Sequence, residues 1–269
     1  MPEISVIMGV YNGERYVSEA IESILSQSYD DFEFIIVDDC STDRTNEIIK
    51  SYNDPRIKII RLDRNHGLAY ALNIAAKESQ GKYIARMDSD DISVKERFER
   101  QILFFRKNQD ISVLGTSYYE IDSSGEIIGE KKFPSDDKDI KSLMIKINPF
   151  FHASIMMKKE SLEEAGYYNG SLRMLEDYDL WIRMSKKCKL ANLDESLIKR
   201  RYHEGNVCLT TDNAQLLAGV KLRLKYIFAG YFPAYALIHV IKPLVAYLTP
   251  QQLRKFIRKT FFKSSLYGR

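Results

Sequence analysis

Four short runs rich in isoleucine and valine punctuate the first third of the chain: ISVIMGV (4–10), FEFIIVD (32–38), IKIIRL (57–62) and KYIARM (82–87). Continuous apolar runs of this length are the mark of strands buried on both faces. Each gap between them is long enough for one helix. The first carries Ala20, Ile21, Ile24 and Leu25 at helical spacing. The second, STDRTNEIIKSY, opens with Ser41 and Thr42 as candidate N-caps. The third, GLAYALNIAAKES, follows Gly67. Strand–helix alternation with right-handed crossovers builds a parallel sheet covered by helices, an α/β fold. Ligands of such sheets bind at the carboxyl ends of the strands.

From about Thr116 the pattern loosens. TSYYEID-SSGE-IIGEKKF reads as a hairpin turning at Ser-Ser-Gly. HASIMMKKESLEEAGYY reads as a strand and a short helix, and LEDYDLWIRMSKKC as a longer helix. There is no internal repeat and no low-complexity linker.

With 269 residues, 45% hydrophobic and 29% charged, the chain can bury a sizeable core, and its composition excludes a disordered or collagen-like polymer. Cys40, Cys188 and Cys208 form no C-x-x-C pair, which argues against structural zinc and fits a reducing compartment. The start, MPEISVIMGV, has no basic and apolar leader pattern, so a cytoplasmic catalytic part is expected.

Charge is unevenly distributed. The net charge is +3, yet after Asp212 there are ten basic and no acidic residues. Near the end, TPQQLRKFIRKTFF sets Leu253, Phe256, Ile257 and Phe261 on one helical face and Arg254, Lys255, Arg258 and Lys259 on the other. The uncharged stretch upstream, YIFAGYFPAYALIHVI, is shorter than the ~20 residues needed to span a bilayer and is broken by Pro233. Two readings remain: a tail on the anionic inner face of the cytoplasmic membrane, or a helical cap on the protein's own core. No nucleic-acid recognition motif is present.

Three polar clusters fall at strand ends: VYNGERY, VDDCSTD and ARMDSDDIS. The last puts Asp88, Asp90 and Asp91 within four positions. It is either a solvated turn or a set of hard oxygen ligands for Mg²⁺ or Mn²⁺, and it lacks the glycine and the twelfth-position acid of an EF-hand. Asp39, beyond an apolar strand, is placed to accept from a base N–H or a ribose hydroxyl, and Asp38 to orient the loop or cap the next helix. If LEDYDLWIRM is helical, Asp177, Leu180, Trp181, Met184 and Cys188 share one inward face while Asp179 points away. Asp177 is then a structural cap or a positioned base, with Glu176 setting its orientation. Trp181, the only tryptophan, fits the core better than a sugar platform.

Taken together and in order, SVIMGVYNGERYVSEAIESILSQSYDDFEFIIVDDCSTDRT, NHGLAYALNIAAKESQGKYIARMDSDDIS and HASIMMKKESLEEAGYY…LEDYDLWIRM resemble a family 2 glycosyltransferase of the GT-A fold. The resemblance runs from about Ile4 to Asn206. It implies an inverting transfer of sugar from a UDP-sugar donor, dependent on Mn²⁺ or Mg²⁺. Asp39 would contact uridine, although Cys40 stands where the family has glycine. Val10, Tyr11 and Asn12 would pack on uracil and ribose. Asp90 would bind the metal, Asp88 would lie toward the ribose, and Asp177 would be the general base. Arg64 and Arg86 either meet the diphosphate or have an ordinary surface role. His203 either completes the metal shell or is structural, and His152 lines the acceptor pocket or is structural. A lipid-linked saccharide in surface-polysaccharide assembly is the acceptor expected by analogy. The sugar is left open.

Two other classes share parts of this pattern: a non-catalytic nucleotide-sugar-binding scaffold, and a nucleotidyltransferase. The second needs a glycine-rich basic phosphate loop, which VYNGERY does not supply. The expected organisation is a catalytic domain over 1–213, with a nucleotide-sugar half (1–115) and an acceptor half (116–213), followed by a basic tail (214–269).

Overall fold

The computed structural model describes residues 1–203 and 213–249. The four apolar runs form β1 (Ile4–Val10), β2 (Phe32–Asp38), β3 (Ile57–Arg61) and β4 (Tyr83–Arg86). They are mutually parallel in the order β3-β2-β1-β4. Every residue of β1 is buried, because it lies inside the sheet with helices over it. The crossovers are α1 (Val17–Leu25), α2 (Thr45–Ser51) and α3 (Leu68–Glu78). Helix α1 buries Ala20, Ile21 and Ile24, as its spacing predicts.

Ser41 and Thr42 do not cap α2. The helix starts at Thr45, whose N–H donates to the Asp43 carboxylate (3.0 Å), while Ser41 and Thr42 turn to the loop after β1.

The remaining elements are β5 (Ile92–Ser93), α4 (Arg97–Lys107), β6 (Ile111–Ile121), β7 (Ile127–Lys131), α5 (Asp137–Met144), a 3₁₀ turn (His152–Ser154), β8 (Met156–Lys158), α6 (Lys159–Glu164), α7 (Glu176–Ser185) and β9 (Lys189–Arg201). The sheet continues β4-β8-β6-β9-β5, with β7 paired to β6 as the expected hairpin. Strand β8 enters antiparallel to β4, and β9 runs parallel to β6. Helix α4 and strand β9 are additions to the sequence reading. In β9, exposed Asp194-adjacent positions separate two buried stretches, and the register with β6 shifts at Thr116–Ser117, so no period of two survives.

The chain divides into two compact units, Met1–Asn206 and Val207–Arg269, ahead of the expected boundary at 213. In the second unit the described elements are α8 (Asn213–Phe228), a 3₁₀ turn (Ala234–Leu237) and α9 (Ile238–Leu248). None of the described helices is long and apolar enough to cross a membrane. The amphipathic stretch beyond Thr249 lies outside the described residues.

Candidate active site

The carboxyl ends of β1, β2 and β4 meet at one edge of the sheet, where Val10 pairs with Asp38 and Ile7 with Arg86. Val10 is buried and Tyr11 is half exposed at the rim. Asn12 takes a left-handed φ of 51°, its N–H donates to Ser41 Oγ (3.0 Å), and its side-chain oxygen accepts the Thr42 N–H (2.9 Å). The Gly13 N–H donates to Thr45 Oγ1 (2.8 Å), so the loops after β1 and β2 are laced into one wall.

In that wall Asp38 is fully buried and accepts from the Ser41 N–H (2.9 Å) and Asn46 Nδ2 (3.0 Å), which orients the loop. Cys40 adopts φ 64°, the left-handed conformation open to glycine, so the loop keeps its path at the expense of backbone strain. Asp39 points inward. Its two oxygens accept the N–H groups of His66 and Gly67, each at 2.8 Å. Each oxygen keeps a second lone pair for a further donor. Arg64, on the same connection, is exposed.

The floor is the acid cluster. Carboxylate oxygens of Asp88, Asp90 and Asp91 lie within 4.8 Å of one another. Arg86 is buried beneath them and forms an ion pair with Asp88. Burial, then repulsion from Asp88, raises the pKa of Asp90, and burial with repulsion from both neighbours pushes Asp91 well up. Asp91 is buried and accepts the Arg201 N–H (2.9 Å), while Arg201 Nε donates to the Asp90 carbonyl (3.1 Å). Arg201 is itself buried, lies over Tyr16 (4.5 Å) and pairs with Glu19 (2.5 Å). The end of β9 therefore clamps the cluster, and His203, two residues on, sets Nε2 3.0 Å from Asp90 Oδ2.

The donor set fits a divalent cation. Clustered carboxylate oxygens are ligands for Mg²⁺ or Mn²⁺, and a cation would relieve the repulsion that raises Asp90 and Asp91. His203 Nε2, 3.0 Å from Asp90 Oδ2, would add a nitrogen ligand to that set.

The opposite wall is the start of α7. Asp177 Oδ2 accepts from Asn148 Nδ2 (2.6 Å) and Oδ1 from the Tyr178 N–H (2.7 Å). Burial raises its pKa; these two donors and Arg86 oppose the rise, and Asp88 adds to it. Arg86 and Asp88 therefore act on Asp177, and the acid cluster and α7 share one field. Glu176 is pushed up to about 7, first by burial and then by Asp177. Leu180, Trp181 and Met184 are fully buried on the expected stripe. Trp181 packs edge-on to Phe150 (5.7 Å) and His152 (6.1 Å), as a core residue does. Asp179 departs from expectation: it is fully buried and pairs with Arg183 (2.8 Å) instead of facing solvent. Arg183 also donates to the carbonyls of Ala165 and Tyr167, which form a second surface covering α7.

His152 Nε2 meets Tyr168 Oη at 2.9 Å, and burial with the nearby Arg86 holds the imidazole neutral. The sequence reading does not anticipate Asn148 or Arg201. Their roles depend on contacts across 29 and 110 positions that no local pattern announces.

An α/β sheet whose carboxyl edge gathers an acid cluster, with the Glu176–Asp177 carboxylates in its field, is suited to a divalent cation and an anionic ligand. The chain belongs to glycosyl transferase family 2, whose model matches residues 5–166. It is 37% identical to EpsE of Bacillus subtilis over 260 residues, covering 93% of this chain and 90% of that protein. It is 40% identical over 209 residues to WbnJ, an O-antigen biosynthesis glycosyltransferase of Escherichia coli, covering 74% and 80%. The fold is that of S. aureus TarS residues 1–349, crystallised with UDP-GlcNAc, with a TM-score of 0.73 at 21% identity over 97% of this chain and 77% of that one.

Proposed function

We propose that this glycosyltransferase moves a sugar from a UDP-sugar to a hydroxyl of a lipid-linked saccharide, with inversion at the anomeric carbon. The observation that carries the reading is the Asp177 carboxylate, held by Asn148 Nδ2 and the Tyr178 N–H within the field of Arg86 and Asp88 of the acid cluster. The UDP-GlcNAc held by TarS supports the donor class, and the O-antigen biosynthesis of WbnJ supports the polysaccharide setting.

Asp177 takes the proton of the acceptor hydroxyl as its oxygen attacks the anomeric carbon. The bond from that carbon to the β-phosphate oxygen breaks, and UDP leaves. General-base assistance of this kind contributes roughly 10²–10⁴-fold. Asn148 holds the carboxylate in place, and the raised pKa makes it a stronger base than an exposed aspartate. Asp90 and His203 would hold a divalent cation, which would supply positive charge at the departing diphosphate. Asp39 and the Val10–Asn12 loop receive the uridine, with Asp88 on the ribose side.

Asp177→Asn tests the reading. It should bind UDP with Mn²⁺ as the wild type does and transfer little or no sugar. Near-normal transfer by the variant removes Asp177 as base.

Peripheral contact with the inner face of the cytoplasmic membrane is part of the same proposal. The segment after Asp212 has ten basic and no acidic residues, and α9 exposes Ile238, Ile241, Val245 and Leu248 along one face. Such a surface suits an anionic leaflet. Ile241→Glu with Val245→Glu should release the protein from anionic vesicles in co-sedimentation. Undiminished binding would rule α9 out of the contact.

A further inference from the structure

One cation at the cleft is unexplained by the chemistry above. Arg173 lies between α6 and α7, three positions before Glu176. Its guanidinium reaches the nucleotide half. Nη1 is 3.1 Å, Cδ 3.7 Å and Cζ 3.8 Å from the point where a Cβ on Gly67 would stand. Gly67 is the N-cap of α3 at φ 93°, and its N–H is the one held by Asp39 Oδ2. The guanidinium is therefore seated on the very turn that Asp39 builds, and the missing side chain of Gly67 leaves room for it.

The buried arginines around the cleft are occupied. Arg86 pairs with Asp88, Arg201 with Glu19 and the Asp90 carbonyl, and Arg97 donates to the carbonyls of Arg86 and Ile155. Arg173 is exposed and, among the described residues, has no hydrogen-bond or ion-pair partner. Six carboxylates line the same cleft (Asp39, Asp88, Asp90, Asp91, Glu176 and Asp177), yet it pairs with none of them. A fork of five donors held against a glycine beside a nucleotide wall is built for an anion that arrives with the ligand.

We infer that Arg173 binds the diphosphate of the nucleotide-sugar donor from the acceptor half of the domain. The inference rests on the donor assignment proposed above. Filling the cleft then ties the segment leading into α7 to the turn before α3, and Asp177 lies four positions beyond the arginine. Arg173 is a binding residue for the leaving group and a positioning residue for the base.

The test is titration of wild type, Arg173→Gln and Arg173→Lys with uridine, UMP and UDP in the presence of Mn²⁺. Loss of one charge-assisted contact should weaken UDP about tenfold or more in the glutamine variant, less in the lysine variant, and leave uridine unchanged. Two results overturn the inference: UDP affinity within twofold of wild type in Arg173→Gln, or an equal loss for uridine and UDP, which would make the arginine a prop for the turn. If the wild type itself binds no UDP, the donor assignment falls as well. Wild-type binding matched by the glutamine variant defeats the arginine alone.

Discussion

Asp90 Oδ2 and His203 Nε2 stand 3.0 Å apart although 113 positions separate them in the chain. The contact joins the acid cluster after β4 to the residues that follow β9, and Arg201 secures it through the Asp90 carbonyl and the Asp91 carboxylate. If the pair forms the metal shell, Asp90→Asn should bring UDP affinity in Mn²⁺ down to the level measured in EDTA. His203→Ala should weaken it by about tenfold or more, the scale on which changes at a metal shell act. Calorimetry with and without metal measures both. An alanine variant with full manganese dependence would take the imidazole out of the shell.

The α7 carboxylates make a pH prediction. Transfer requires an ionised base, and burial raises Asp177 while Glu176 is pushed up to about 7. The acid limb of the pH–rate profile should therefore lie above the ordinary carboxylate range. Glu176 is still protonated while Asp177 ionises below it, so if Asp177 is the base, Glu176→Gln should leave the acid limb in place. Stability has the matching sign. A carboxyl whose pKa is higher folded than unfolded contributes fully below its unfolded value, and the contribution is lost as pH rises through about 7 for Glu176. Glu176→Gln should melt above wild type at pH 8 and level with it at pH 4.

Cys40 holds a left-handed φ of 64° with a side chain that gains only a 3.5 Å contact from Sγ to the Asp63 carbonyl. Cys40→Gly should relieve the strain and stabilise the fold by about 1 kcal/mol. UDP affinity should stay constant, because the loop already follows the path that glycine allows. Denaturant unfolding provides the comparison, and a destabilised variant would show that the thiol packing outweighs the backbone term.

The buried ion pair of Asp179 and Arg183 should matter for stability rather than for the chemical step. Asp179→Ala leaves Arg183 without its anion and should cost about 3 kcal/mol. The melting temperature should fall clearly, while an exposed control such as Glu47→Ala moves it little. Equal melting of the two variants would contradict the pairing seen at 2.8 Å.

Strands β1, β2 and β4 are legible in the sequence because they are buried almost throughout, which leaves mainly apolar residues to read; the edge strand β3, with Lys58 and Arg61 exposed, shows only in its three isoleucines. The stripe Leu180–Trp181–Met184 is legible for the same reason applied to a helix. Asp179 escapes a reading that gives α7 a single inward face: the Ala165–Tyr167 segment covers a second face, and Arg183 neutralises the charge trapped there. The acid cluster, Asp39 and Asp177 stand out as charges at the ends of apolar elements. Asn148, Arg173 and Arg201 do not. Each is an ordinary polar residue whose meaning comes from a distant partner, and the strand that delivers Arg201 is bulged and charged along its length.

Strand β9 also imposes an order of events during synthesis. The wall built by the loops after β1 and β2 and the acid cluster leave the ribosome early, but Arg201 and His203 follow Asp90 by 111 and 113 positions. At roughly 5–20 residues per second, that is a delay of about 6 to 23 s. Through that interval the nascent chain has the acids without the residues that clamp and complete them. If Asp90 and His203 form the metal shell proposed above, the shell cannot be assembled until the end of β9 has emerged, and a donor sugar is not activated toward water before then.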